Sequence, residues 1–239
     1  MRRSPLRTVI VLLIIASAGL AGREWLQRHP EHDPWAPLAL ADPPGWATAM
    51  KLQTLRGDRA MCRAFLESSG ITAEALPPAG EGQCLRDDRQ VLQGLARVKV
   101  RLAPSGAQAT CAVDAGLAMW LRHGIQPAAE RLLGSPVASV EHFGTNNCRR
   151  IGGGSDGNWS EHATGNAIDV SAFVLEDGRR ISVLKDWTSG DEKATFLREV
   201  RDAACQSFST VLSPDYNAAH ANHLHLDQAQ RSGGWAACR

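Results

Sequence analysis

A chain of 239 residues, 44% hydrophobic and 21% charged, can bury a real core in one medium-sized domain and is too apolar to be disordered. Its 26 basic and 25 acidic residues leave a formal charge of +1, so the basic excess of a nucleic-acid binder is absent.

The N-terminus reads as a targeting segment. Arg2, Arg3 and Arg7 flank an uncharged run over residues 8–22 that is rich in Val, Leu, Ile and Ala. Such a run suits a signal-peptide core better than a spanning helix, which needs about 20 residues. Arg23 follows at once and no Ala-x-Ala position stands out, so residues 1–22 are either a cleaved signal peptide or an uncleaved anchor in the inner membrane. Both readings place the remainder outside the cytoplasm, in the periplasm. The six cysteines, Cys62, Cys84, Cys111, Cys148, Cys205 and Cys238, include no Cys-x-x-Cys pair. Widely spaced cysteines in an exported chain point to disulfides rather than to zinc-finger ligands. Pairing nearest neighbours gives the expectation Cys62–Cys84, Cys111–Cys148 and Cys205–Cys238.

Residues 23–53, with a Pro-rich stretch over 27–44, lack helical or strand periodicity and read as an extended tether. His29 and His32 fall there and read as solvated linker histidines. A helix is expected over about 54–68, then a loop marked by Pro77, Pro78, Gly80 and Gly82. Val113, Leu117, Trp120 and Leu121 give helical spacing over 112–123, with Gly124 as a stop. Pro127 opens a second helix over 128–133, and Gly134 closes it. Strands are expected around 137–143, over 168–175 and over 180–184, the last two joined through Asp177-Gly178. A helix over 192–205 and strands over 210–212 and 223–226 complete an α+β chain: a small antiparallel sheet flanked by helices.

Two clusters carry chemistry. One spans residues 160–169 and contains His162 and Asp169; the other spans 220–227 and contains His220, His223 and His225. Together they hold four of the eight histidines. Residues two apart on a strand share a face, so His223 and His225 project together while Leu224 and Leu226 pack on the core. One of the pair can ligate a metal and the other stand over its water. Fully extended, His162 and Asp169 would lie about 23 Å apart, and on a helix about 10 Å, so the first cluster must bend to reach one ion. Gly165 and Asn166 tolerate such a bend. Two imidazoles and a carboxylate with a fourth position open suit a catalytic zinc, which lowers the pKa of water and polarises a carbonyl. Glu161 does not belong to a His-Glu-x-x-His motif.

The stretches Ser-Glu-His-Ala-x-Gly-Asn-Ala-Ile-Asp and Asn-x-x-His-x-x-His-x-His-Leu-Asp resemble the extensin-like C-terminal domain of bacterial proteins. The resemblance covers about residues 62–238. Through Ser160, His162, Gly165, Ala167, Asp169, His223 and His225 the chain more distantly resembles a metallopeptidase group. That group contains D-alanyl-D-alanine carboxypeptidases, the penicillin-insensitive murein endopeptidase and the hedgehog signalling domain. This wider resemblance implies zinc ligands at His162, Asp169 and His225, with His223 and His220 assisting catalysis. It also implies a substrate contact at Arg149, beside Cys148. Asn222 stands where the carboxypeptidases carry a glutamate base, and an amide cannot take that proton. The expectation is a zinc peptidase domain over 54–239 acting on peptidoglycan stem peptides or cross-links. The rivals are a non-catalytic zinc-stabilised domain that binds cell wall or a partner protein, and an amidase or esterase with the same metal chemistry.

Overall fold

The computed structural model describes residues 5–95, 100–231 and 236–239. Helix α1, Pro5–Arg28, is longer than the uncharged run because helical sequence continues through Arg23 and Glu24. None of its residues is buried, and it is long and apolar enough to cross a membrane. A signal sequence and an anchor both take this form.

The segment expected as a free tether instead lies against the domain. Leu40 is buried in the core and its carbonyl meets His123 Nε2 at 2.9 Å. Lys51 Nζ donates to the Pro30 carbonyl at 2.6 Å. His29 and His32 stack on Trp25, at ring distances of 4.5 and 5.3 Å. The single helix expected over 54–68 is two, α2 (Thr48–Gly57) and α3 (Arg59–Ser68). The break is chemical: Asp58 is extended and its carboxylate caps α3 by accepting from Met61 N at 2.9 Å.

Strands β1 (Ile71–Leu76), β2 (Arg89–Leu95) and β4 (Gln108–Ala109) form a small antiparallel sheet that periodicity did not reveal. The strands of the larger sheet are β3 (Arg101–Ala103), β5 (Val137–His142), β6 (Ala167–Leu175), β7 (Arg180–Ser182), β8 (Thr210–Leu212), β9 (Leu224–Asp227) and β10 (Ala237–Cys238). Their order is β10-β8-β9-β6-β5-β3, with β7 also paired to β6. β6 is central and antiparallel to β5, β7 and β9. The α+β architecture is therefore as expected, although β3–β5 and β8–β10 pair in parallel.

Helices α4 (Cys111–Trp120), α5 (Gln126–Leu133) and α6 (Glu192–Ala204) bury the sheet's apolar face. Trp120 packs edge-on to Phe173 and Phe208, and Phe173 edge-on to Phe196. The buried indole satisfies its one donor on the Val200 carbonyl at 2.7 Å. Gly124 does not stop a helix. A π-helical turn, Leu121–Ile125, joins α4 to α5, and a Cβ at Gly124 would sit 2.7 Å from Ala203 Cβ and 2.9 Å from the Trp120 ring. Glycine is there for close packing.

Only Cys205–Cys238 pairs as expected; the other two bridges are Cys62–Cys111 and Cys84–Cys148. Nearness in sequence misled because α3 and α4 lie side by side, which brings the Cys62 and Cys111 Cα atoms to 6.1 Å. The turn at Cys84 packs on the loop that carries Cys148 and Arg149.

Asp114, buried in α4, accepts from Gln90 Nε2 at 2.6 Å, and burial pushes its carboxyl up to about 8. Between about pH 4 and that value the folded chain keeps a proton that the unfolded chain has released. Stability should therefore fall as pH rises through the window, by up to about 1.4 kcal/mol per pH unit, and level off above it. Asp114→Asn is expected to flatten this dependence in urea melts at pH 5 and pH 8. An unchanged slope would contradict the assignment.

Candidate metal centre

The bend between His162 and Asp169 is built from side-chain caps. Ser160 Oγ accepts from His162 N at 3.3 Å and opens a 3-10 turn, Glu161–Thr164. Gly165 ends the turn at φ +74°, where a Cβ would also stand 3.3 Å from the Gln108 carbonyl. Asn166 braces the turn from both ends, donating to Glu161 Oε2 at 2.6 Å and accepting from Thr110 Oγ1 at 2.9 Å. Glu161 is thus a partner of the turn, and burial raises its carboxyl above the usual range. β6 begins at Ala167 and delivers Asp169 beneath the His162 ring, and β9 supplies His225 directly opposite Asp169 in register.

Three donor atoms converge. His162 Nε2, Asp169 Oδ1 and His225 Nδ1 form a triangle with edges of 3.0, 3.0 and 3.1 Å. Among the described residues these are the ones whose ligand atoms all meet within 4.8 Å. Ligand atoms around a tetrahedral zinc stand about 3.3 Å apart, so the triangle matches three corners of that shape with little adjustment. Hydrogen bonding alone serves the triangle poorly, since one carboxylate oxygen faces two ring nitrogens that also face each other. The residues fit a zinc ion.

His225 is held from behind: its Nε2 meets Asp227 Oδ2 at 3.1 Å, and Asp227 Oδ1 accepts from Ala229 N at 2.9 Å. That pair fixes which nitrogen of His225 faces the centre. Burial opposes charge on this ring, but Asp169 and Asp227 raise its imidazole to about 9. Burial likewise works against the Asp169 carboxylate, yet bonds from His162 and His225 hold it well below the usual carboxylate range.

His223 is outside the converging set. Its Nε2 stands 3.5 Å from Asp169 Oδ1, and its Nδ1 lies 2.8 Å from Asn222 Oδ1. The amide oxygen can only accept, so Nδ1 carries the proton and Nε2 faces the centre as a free base. Burial lowers the basicity of His223, and Phe143 covers one edge of its ring at 5.9 Å. His220 lies one ring further out, 5.2 Å from His223, held by Asn217 Oδ1 at 2.8 Å; burial and then the other histidines press its imidazole down to about 4. Arg149 is exposed, and its charge reaches both His220 and His223.

The structure thus gathers His162, Asp169, His220, His223, His225 and the charge of Arg149 around one point, while His29 and His32 lie with the end of α1. Sequence reasoning missed two contributors. Asp227 follows the alternation that links His223 and His225, which was the available signal. Asn222, noted only as a lost carboxylate, is the residue that sets the His223 tautomer.

No curated protein and no solved structure matches the chain. A family model described as extensin-like protein C-terminus matches residues 60–239. Covering well over half of the sequence and both histidine clusters, this match shows that the chain belongs to the extensin-like protein C-terminus family.

Proposed function

We propose that this chain is an exported zinc-dependent peptidase that hydrolyses peptidoglycan stem peptides or their cross-links, in the periplasm and tethered to the inner membrane when α1 is retained. The observation that carries the reading is three converging ligands with a fourth histidine beside them that is not one of them. A structural zinc site is closed by four protein ligands, whereas a catalytic one keeps a position free. The choice of peptidoglycan rests on the resemblance of both motifs to murein peptidases.

His162, Asp169 and His225 hold the ion, and Asp227 keeps the His225 ring in place. Zinc in such a site polarises a carbonyl and acidifies water. His223 Nε2 takes the proton of the attacking water and returns it to the leaving amine, with Asn222 keeping Nδ1 protonated throughout. Arg149 offers a charge for a carboxylate on the substrate. Asp227→Asn is expected to weaken zinc affinity about 10- to 100-fold by releasing the His225 ring. A chelator-competition titration checks this, and unchanged affinity would remove Asp227 from the site.

The second reading, a non-catalytic zinc-stabilised domain that binds cell wall or a partner, is favoured by Asn222 in place of a glutamate base. Digestion of purified sacculi by the zinc-loaded chain separates the two. Release of peptide fragments with new amine ends supports the peptidase; binding without release supports the alternative.

A further inference from the structure

A cleft of about 510 Å³ opens beside the metal centre, between β5, β6, β7 and the loop carrying Asn222. Sites for small ligands run from about 300 to 1,000 Å³, so this one is large enough to matter. A β-bulge shapes it. His142 pairs with Val170 but Glu141 pairs with Ala172, which leaves Ser171 as an extra residue in β6. Bulges re-aim side chains, and here the bulge comes two residues after Asp169, turning the strand just where it leaves the centre.

The lining is unbalanced. Ser171 and Ser182 are each only 7% exposed, both line the cleft, and neither hydroxyl has a hydrogen-bond partner among the described residues. Both hydroxyls keep access to the cleft, so a ligand entering it meets two hydroxyl groups that no protein group has claimed. Lys185 at the rim has no acidic partner among the described residues. The one carboxylate there, Glu141, is already engaged by Arg180 through bonds of 3.0 and 2.6 Å. Asn222 has committed its oxygen to His223, which leaves its amide protons to offer. The cleft therefore presents donors and positive charge with no free carboxylate, beside one buried acceptor without a partner, His142 Nδ1, whose other ring nitrogen donates to the Pro104 carbonyl. Phe143 and Leu184, each 61% exposed, add apolar surface on its flanks.

We infer that this cleft binds the carboxylate-bearing end of a short peptide, the carboxylate on Ser171, Ser182 and Lys185 and a small apolar side chain against Phe143 and Leu184. The inference rests on the peptidase reading and sharpens it. Phe143 contacts His223, so a peptide anchored here leads its neighbouring amide bond toward His223 and the metal ligands.

The test is calorimetric titration of the full zinc-loaded chain carrying His223→Ala, so that turnover does not consume the probe. The probes are N-acetyl-alanyl-alanine in its L,L and D,D forms, and the matching C-terminal amides. At least one free acid should bind about tenfold or more tightly than its amide, the worth of one charge-assisted hydrogen bond. Lys185→Ala, and Ser171→Ala with Ser182→Ala, should each erase that preference, while Lys185→Arg should keep it. Equal affinity for acid and amide, a preference that survives both variants, or no binding by any probe overturns the inference. Acid-selective binding by a native chain that releases nothing from sacculi keeps the cleft and removes the peptidase. Hydrolysis without acid selectivity does the reverse.

Discussion

His223→Ala is expected to retain zinc and to hydrolyse its substrate about a hundred- to ten-thousand-fold more slowly, the range for loss of a positioned acid–base group. Retention follows from the geometry, because the converging triangle is complete without this ring. The loss follows from its tautomer: Asn222 holds Nδ1, so the nitrogen 3.5 Å from Asp169 Oδ1 is free to take a proton. Asn222→Ala should fall between native and His223→Ala, since the base remains but its orientation is no longer fixed. His225→Ala should lose the metal itself. Zinc content and turnover measured on the same preparations decide the matter. Loss of zinc in His223→Ala would make it a ligand, and full activity would remove it from the mechanism.

Replacing both Cys62 and Cys111 with alanine is expected to destabilise the domain by about 4 kcal/mol, from the entropy of a loop closed at a sequence separation of 49. Both cysteines are fully buried between α3 and α4, so alanine leaves no unsatisfied group. This bridge lies outside the histidine cluster, whereas Cys84–Cys148 holds the loop of Arg149. Guanidinium unfolding should show the loss while zinc content stays at the native level. A change below about 1 kcal/mol would mean that packing of α3 on α4 already restricts the chain without the bond.

Most of the candidate centre was legible in the sequence because strand alternation is a short-range property. His223 and His225 could be placed on one face from spacing alone, and the need for a bend between His162 and Asp169 followed from reach. Asp227 obeyed the same alternation and was overlooked. Long-range features were less accessible. The cysteine pairing depends on which helices pack together, which spacing along the chain does not encode. Gly124 looked like a helix stop because its reason for being there, the approach of Trp120 and Ala203, is tertiary. The polar, Pro-rich composition of residues 23–53 concealed that Leu40 and Leu52 are core residues. Strands β1, β2 and β4 carry too little alternation to stand out, and β1 has only one fully buried residue.

The central claim is that His162, Asp169 and His225 hold one zinc ion, and elemental analysis of the purified chain tests it most directly. The native protein should carry about one zinc per chain, and a variant with His162→Ala and His225→Ala should carry none while retaining its three disulfides. Equal zinc in the two proteins, or none in the native chain after equilibration with the metal, would contradict the account.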